Sequence, residues 1–329
     1  MIKAAIIGLG WWGQTLLKTL ANSTVITPVL GVDPLDSARA AASALGVATA
    51  ASFEDALANA NIDAVILCTP QQHHAEQIAA AAGSRRHVFC EKPLCTTAAD
   101  AEAAIAAVRK AGVQLGIGHE RRFEPAVIDM RQRFAAGEFG NPLLLEGNFS
   151  QDKFLKLPRD NWRLSSTVNP AGPLSATGIH MVDLSIALLG RPVSVWARLA
   201  RLGSDFANGD TLSMTIGFES GATALLGAVL ATPFMGRLAL LGSEGWMEIR
   251  DRSHPENSTG WDVTWVHRDQ TPATAFYPPH PAVRDNLEAF GRAALGLAPY
   301  PVTLDEMLLN VRSFEAIQRS VKSGAIERI

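Results

Sequence analysis

Ile6-Ile7-Gly8-Leu9-Gly10-Trp11-Trp12-Gly13 decides how the first third of this chain folds. Three glycines in G-x-G-x-x-G spacing follow an apolar run, residues 3–7, that reads as a β-strand, and residues 12–20 carry helical spacing. Gly8 suits a tight strand-to-helix turn, Gly10 leaves room for a pyrophosphate to approach the backbone, and Gly13 lets the helix lie close on the strand. The helix N-terminus adds N–H groups and a partial positive charge. A glycine-rich turn in any α/β protein would carry similar residues, but strand, loop and helix in this order predict a dinucleotide site.

A second apolar run, residues 25–32, ends at Asp33, 20 residues beyond Gly13. A carboxylate there accepts hydrogen bonds from an adenosine ribose and repels a 2′-phosphate, which predicts NAD in preference to NADP. No Lys or Arg follows directly, and Arg39 lies six residues on. The competing reading has Asp33 merely capping a helix that begins near Asp36.

Strand and helix alternate onward to about residue 120. Ser52-Phe53-Glu54-Asp55 reads as an N-capped short helix. A buried strand over 63–69 stops at Pro70, a helix over 74–82 stops at Gly83, and a strand occupies 87–90. A helix runs from Thr97 to Gly112, and residues 113–118 close the sheet. This is the pattern of an α/β, doubly wound parallel sheet. After a helix over 123–136 the character changes. Strand-like runs at 193–200, 211–218, 222–229, 237–241, 246–249 and 263–267 are separated by Gly, Asn and Ser turns. They predict an α+β domain with an open, mainly antiparallel sheet, closed by helices over 283–295 and 303–322. The expected division is a Rossmann domain over 1–120 and a second domain over 121–329. Tyr277-Pro278-Pro279-His280-Pro281 reads as a rigid connection and not a domain boundary.

Composition narrows the function. The chain has 329 residues, is 47% hydrophobic and 19% charged, and carries a formal net charge of −3, which suits two packed domains and gives no basic footprint for nucleic acid. The apolar stretch 222–234 is interrupted and too short to span a bilayer. Lys3 precedes a strand where a signal peptide would stand, and three cysteines (Cys68, Cys90, Cys95) without C-x-x-C spacing suit a reducing cytoplasm. Neither they nor the eight histidines show metal-ligand spacing, so no metal is expected.

Two segments carry candidate chemistry. Glu91-Lys92-Pro93 follows a sheet strand at once, where ligand crevices form in open α/β sheets. Pro93 biases Lys92 toward extended backbone, and Lys92 there could transfer protons; a loop lysine pointing into water is the alternative. In Ala176-Thr177-Gly178-Ile179-His180-Met181-Val182-Asp183, α-helical spacing would pair His180 with Asp183 at i,i+3 and with Ala176 at i,i+4. His180 could polarise or protonate a substrate oxygen, or serve as a hydrogen-bonded core residue.

The glycine motif, Thr69-Pro70-x-x-x-His74, Glu91-Lys92-Pro93-Leu94, Arg122-Phe123-x-Pro125, Gly178-Ile179-His180-x-x-Asp183 and Asn286-Leu287-Glu288-Ala289-Phe290 occur in this order. Together they resemble the family of glucose-fructose oxidoreductases, inositol dehydrogenases and rhizopine-catabolism proteins (Gfo/Idh/MocA), across essentially the whole chain. The resemblance implies a nicotinamide-dependent oxidoreductase of a sugar, polyol or cyclic alcohol. It implies a C-terminal domain that shapes the substrate pocket and often mediates oligomers, here a homodimer or homotetramer. It further implies that Glu91 contacts the nicotinamide-side ribose, that Lys92 lies near that ribose and the substrate hydroxyl, and that His180 bonds the oxygen being oxidised. Thr69 and Pro70 would pass beneath the cofactor and His74 beside it. Arg122 would be structural or border the pocket. Separately from the resemblance, one of Trp11 and Trp12 in the glycine loop, Trp12 by preference, could wall the nicotinamide, the alternative being exposed aromatics at a helix start.

One departure stands out. Inositol-dehydrogenase-like members commonly carry Asp four residues before the motif His, and here that residue is Ala176. This disfavours inositol and shifts acid–base work to Lys92. Two other readings compete: a dehydrogenase of a carboxylated cyclic diol or hemiacetal from aromatic degradation, anchored by Lys153, Arg159 and Arg163, and a non-catalytic NAD-binding regulator.

Overall fold

A computed structural model describes residues 1–329, which divide into two compact units. The first comprises Met1–Glu120 and Pro281–Val311; the second comprises Arg121–His280 and Arg312–Ile329.

The first unit opens with β1 (Ile2–Ile7), α1 (Trp11–Leu20), β2 (Ile26–Val32), α2 (Asp36–Ser43), β3 (Ala48–Ala50) and α3 (Phe53–Ala58). β4 (Ala64–Leu67), α4 (His74–Gly83), β5 (His87–Cys90), α5 (Ala98–Ala111) and β6 (Leu115–Ile117) follow. The strands form a six-stranded sheet in the order β3-β2-β1-β4-β5-β6, and every pair is parallel. That is the doubly wound Rossmann order, with its switch point between β1 and β4. Successive side chains of a strand face opposite ways, and both faces are buried here. Ala4 and Ile6 of β1 pack with Leu16, Leu17 and Leu20 of α1. Ala5 and Ile7 pack into the opposite layer with Ile78, Ala81 and Ile105. A strand covered on both sides must be apolar there, which is why β1 is apolar from Ala4 to Ile7 and admits a charge only at the exposed Lys3.

Local chemistry sets the helix ends. Ser52 and Asp55 form a reciprocal capping box on α3. Thr97 Oγ1 accepts from the Asp100 N–H at the start of α5, and Gly112 ends that helix in the left-handed conformation, φ 68°. β3 was not anticipated from the sequence.

The second unit contains α6 (Pro125–Ala135), β7 (Pro142–Ser150), a π-helical turn (Leu174–Gly178) and α7 (Ile179–Leu189). β8 (Pro192–Ala200), β9 (Thr211–Phe218), β10 (Thr223–Val229), β11 (Met235–Gly242), β12 (Gly245–Asp251), β13 (Trp261–His267) and β14 (Ala273–Tyr277) follow. The chain then re-enters the first unit with α8 (Ala282–Ala294) and most of the first half of α9 (Leu304–Ser323), and ends in the second with β15 (Glu327–Arg328). Nine strands form one sheet, ordered β14-β13-β12-β11-β7-β10-β9-β8-β15, antiparallel except for β7 with β10. β7, absent from the sequence expectations, lies in the middle of this sheet, and α7 packs on β7 and β10.

The Pro-rich stretch expected to be a mere connection contains a boundary: the chain passes from the second unit to the first between His280 and Pro281. Residues 281–311 supply part of the first unit's core, with Leu287 and Phe290 against the β1 layer and Val302, Met307 and Val311 against the opposite one. The segment before His180 is not α-helical. Residues 174–178 are π-helical, with the Ile179 N–H bonded five residues back to the Leu174 carbonyl, so α-helical geometry begins only at Ile179, between Ala176 and His180.

Candidate active site

The residues expected to bind cofactor follow the carboxyl ends of β1, β2, β4 and β5, apart from Trp12, Gly13 and His74 in the helices that come next. Gly8 turns with φ 90°, a conformation that favours glycine, and a Cβ there would press on the Cys68 carbonyl at 2.9 Å. A Cβ on Gly13 would lie 1.9 Å from the Gly8 oxygen, so the helix meets the loop backbone directly. Gly10 differs: its Cβ would meet nothing within 4 Å. α1 has no side-chain cap and no acidic residue in its first turn, so its N–H groups and positive end face that open space without an internal anion. Donors, dipole and free volume together fit a pyrophosphate.

Asp33 is tied into this loop. Its Oδ2 accepts from the Leu9 N–H at 2.8 Å and its Oδ1 from the Leu35 N–H at 2.9 Å, while Arg39 donates to its backbone carbonyl at 2.6 Å. A carboxylate oxygen can accept more than one hydrogen bond, so this clamp orients Asp33 and leaves capacity for ribose hydroxyls. The Arg39 guanidinium is committed to the Asp33 carbonyl and the Asp36 carboxylate.

His74 ties the segment carrying Thr69 and Pro70 to the one that carries Glu91, Lys92 and Pro93. Its ring is buried, with Nδ1 2.8 Å from the Pro93 carbonyl and Nε2 2.9 Å from the Thr69 carbonyl, so it links the loops after β4 and β5. Burial lowers its pKa against those two carbonyls, which favour the cation. Thr69 Oγ1 donates to Gln77 at 2.6 Å. The Glu91 carboxylate accepts weakly from the Lys92 N–H at 3.3 Å. Burial, and next the charge of Glu120, push its pKa up to about 7, against the pull of Trp12 and Lys92. The Trp12 indole N–H favours the carboxylate from beyond ordinary hydrogen-bond length. Trp11 packs on Trp12 at 5.4 Å and is 60% exposed.

In the second unit, His180 is buried on α7, with its ring 5.7 Å from that of Phe149. One turn on, Asp183 takes a two-pronged bond from Arg122, at 2.8 and 2.7 Å, with both side chains buried. That pair fastens the start of the second unit to the helix carrying His180. Beside it, Arg121 binds Glu124 at 3.0 Å and Asp251 at 2.8 Å, and Trp261 donates to Asp251 at 3.0 Å. The two carboxylates raise the Arg121 pKa despite its burial. Sequence reasoning missed Arg121, Phe149 and Asp251, whose positions are far apart in the chain and carry no local motif. Ala176 packs against an apolar cluster of Leu164, Phe206 and Leu230.

The anchors suggested for a carboxylated substrate are largely occupied. Lys153 pairs with Glu256, and Arg159 with Asp205 at 2.7 Å. Arg163 stacks on Trp162 at 4.4 Å, and burial lowers its pKa.

Family models agree with this architecture. The model described as "Oxidoreductase family, NAD-binding Rossmann fold" matches residues 2–119, and the GFO/IDH/MocA C-terminal domain model matches residues 127–248. This chain belongs to the GFO/IDH/MocA family of NAD(P)-dependent oxidoreductases. Among its relatives, the uncharacterized oxidoreductase YrbE of Bacillus subtilis is 32% identical over 53% of this chain, and the match spans half of that protein's length. D-xylose 1-dehydrogenase (NADP(+)) 2 of Haloferax volcanii is 29% identical over 88% of both chains. The scyllo-inositol 2-dehydrogenase (NAD(+)) of Bacillus subtilis is 29% identical over 77% of this chain and 75% of its own length. Aldose-aldose oxidoreductase from Caulobacter crescentus, solved with glycerol, is 26% identical and superposes with a TM-score of 0.87, covering 100% of this chain and 99% of that one.

Proposed function

We propose that this chain is an NAD-dependent dehydrogenase of a sugar or polyol, acting in the cytoplasm as a homodimer or homotetramer. The observation that carries the reading is the placement of Lys92 directly past β5, beside Glu91, in the row of strand ends that also bears the glycine loop and Asp33. The names of the xylose and scyllo-inositol dehydrogenases support the substrate class.

Bound nicotinamide supplies the hydride acceptor. The chain's own residues bind, orient and move the proton. Gly10 and the α1 N-terminus receive the pyrophosphate, Asp33 receives the adenosine ribose, and Glu91 the ribose on the nicotinamide side. Thr69 and Pro70 pass beneath the cofactor, held by His74, and Trp12 walls it. Lys92 Nζ relays the proton of the reacting hydroxyl, and His180 bonds the same oxygen, each contributing as a positioned acid or base. Arg122 and Asp183 hold the His180 helix and do no chemistry.

The test is a panel of D-xylose, D-glucose and myo-inositol with NAD and NADP, followed by absorbance of the reduced cofactor. Lys92→Ala should lower turnover by about 10²–10⁴-fold with little change in NAD affinity. Asp33→Ser should narrow the preference for NAD over NADP. Near-normal turnover by Lys92→Ala, or tighter binding of NADP by the unaltered chain, contradicts these roles. Intact NAD binding with no turnover of any alcohol points instead to a regulator.

A further inference from the structure

Phe149, near the end of β7, is the hub of an aromatic cluster in the second unit. Its ring centroid lies 5.7 Å from that of His180, 5.7 Å from that of His254 and 6.2 Å from that of Phe234. The Arg121 guanidinium sits 5.1 Å from the same ring, and Phe234 meets His254 edge-to-face at 5.4 Å. One phenyl ring thus touches both imidazoles.

His254 is held from two sides at Nδ1. The Glu256 backbone N–H donates to it at 3.2 Å, and Lys153 Nζ lies 3.1 Å away, itself ion-paired with the Glu256 carboxylate. An amide N–H and an ammonium can only donate. Nδ1 is therefore the acceptor, and the one proton of the neutral ring sits on Nε2. Burial is the main force keeping the ring neutral; with Lys153 and Arg121 it outweighs Glu256 and Asp251 and lowers the pKa to about 4. Nε2 is buried and has no hydrogen-bond partner, because the rings that surround it are hydrocarbon. A fixed, neutral, orphaned donor is a costly arrangement unless an acceptor arrives from outside.

We propose that His254 is a substrate-contacting residue, donating its Nε2–H to a hydroxyl oxygen of the sugar or polyol whose reacting oxygen His180 bonds, with Phe149 as the apolar surface under the carbon skeleton. This rests on the dehydrogenase reading above. His254 then acts on specificity: it rewards a substrate that places a second oxygen beside it and leaves the donor unmet when that oxygen is missing.

The informative variants are His254→Gln, whose amide nitrogen can stand where Nε2 stands, and His254→Asn, whose shorter side chain reaches only the Nδ1 position. With D-xylose as probe and NAD saturating, His254→Asn should lower kcat/KM by about 10–100-fold, mainly through KM, and His254→Gln should recover most of it. NAD affinity, read by tryptophan fluorescence, should be unchanged in both. Equal losses in the two variants, or none in His254→Asn, overturn the assignment. Nitrogen-15 spectra of the labelled imidazole test it without turnover: a neutral ring protonated at Nε2 is expected at about pH 7, and the other tautomer or a cation refutes it. If the unaltered chain oxidises none of D-xylose, D-glucose and myo-inositol, the dehydrogenase reading falls by itself. His254 is then judged by its Nε2–H resonance on addition of D-xylose or myo-inositol. A shift supports the contact, and an unmoved resonance overturns it.

Discussion

Adding one methyl group at Gly13 and one at Gly10 should damage different properties of the first unit. At Gly13 the new carbon would lie 1.9 Å from the Gly8 oxygen and 3.0 Å from the Gly8 carbonyl carbon. Both are backbone atoms, so no side chain can swing aside. Non-bonded heavy atoms settle at about 3.5 Å, and α1 must withdraw from the end of β1 by more than an ångström. That lifts Leu16, Leu17 and Leu20, each at most 4% exposed, out of their fit against the sheet. Overpacking of this kind costs about 1–3 kcal/mol, or roughly 2–12 °C in melting temperature for a unit of this size. Gly10 has φ −63° and ψ −172°, which any residue adopts, and open space where its Cβ would go. Gly10→Ala should melt with the unaltered chain. Its methyl would instead occupy the approach to the α1 N–H groups, and losing bonds from those donors to a charged phosphate costs about 1.5–3 kcal/mol, or roughly 10–150-fold in NAD affinity. Thermal melting without cofactor and a fluorescence titration with NAD separate the two effects. Gly10→Ala binding NAD normally, or Gly13→Ala melting normally, would refute the reasoning.

Asp183→Ala should cost about 3–5 kcal/mol in urea unfolding by leaving Arg122 charged and buried, and Arg122→Met added to it should recover much of that loss. Glu91 gives a pH signature. Its folded-state pKa is raised from 4.5 to about 7, so the folded protein holds a proton that the unfolded chain releases, and stability falls as pH rises through that window. Glu91→Gln should therefore gain on the unaltered chain between about pH 4.5 and 7, by on the order of 3 kcal/mol in full, and parallel stability curves would contradict this. Ala176→Asp should not create an inositol dehydrogenase: it places a carboxylate against Leu164, Phe206 and Leu230, so melting should fall while specificity for myo-inositol stays poor beside D-xylose. A large rise in myo-inositol specificity would show that a carboxylate at position 176 reaches the substrate in spite of those apolar neighbours.

What could be read from sequence followed from how local the cause was. β1, the glycine loop and α1 are contiguous, and so are the Thr97 cap and the Gly112 terminus of α5, so adjacent residues specify them. The candidate residues Gly8, Asp33, Thr69 and Glu91 could be picked out because each comes within two residues of a strand's end. β7 was not legible: Glu146, Gly147 and Asn148 weaken its strand character, and its neighbours β10 and β11 come some seventy or more residues later. The π-helical turn was equally hidden, since α spacing was assumed across Ala176 and His180. His254 lies about 70 residues from His180 and about 100 from Phe149, so only the folded sheet assembles them.

The return of residues 281–311 to the first unit bears on the order in which the protein is made. A nascent chain presents residues 1–120 to the solvent first, yet their sheet still lacks Leu287 and Phe290 on one side and Val302, Met307 and Val311 on the other. The edge at β6 also waits for Asn286, which donates to the Ile117 carbonyl at 2.9 Å, and for Tyr300, which bonds the same carbonyl at 3.0 Å. By the time these segments leave the ribosome, β7 to β14 have already emerged. Domains usually mature in the order of synthesis. Here the half that is translated first is completed late, and during that interval its bare apolar faces are what a chaperone would meet.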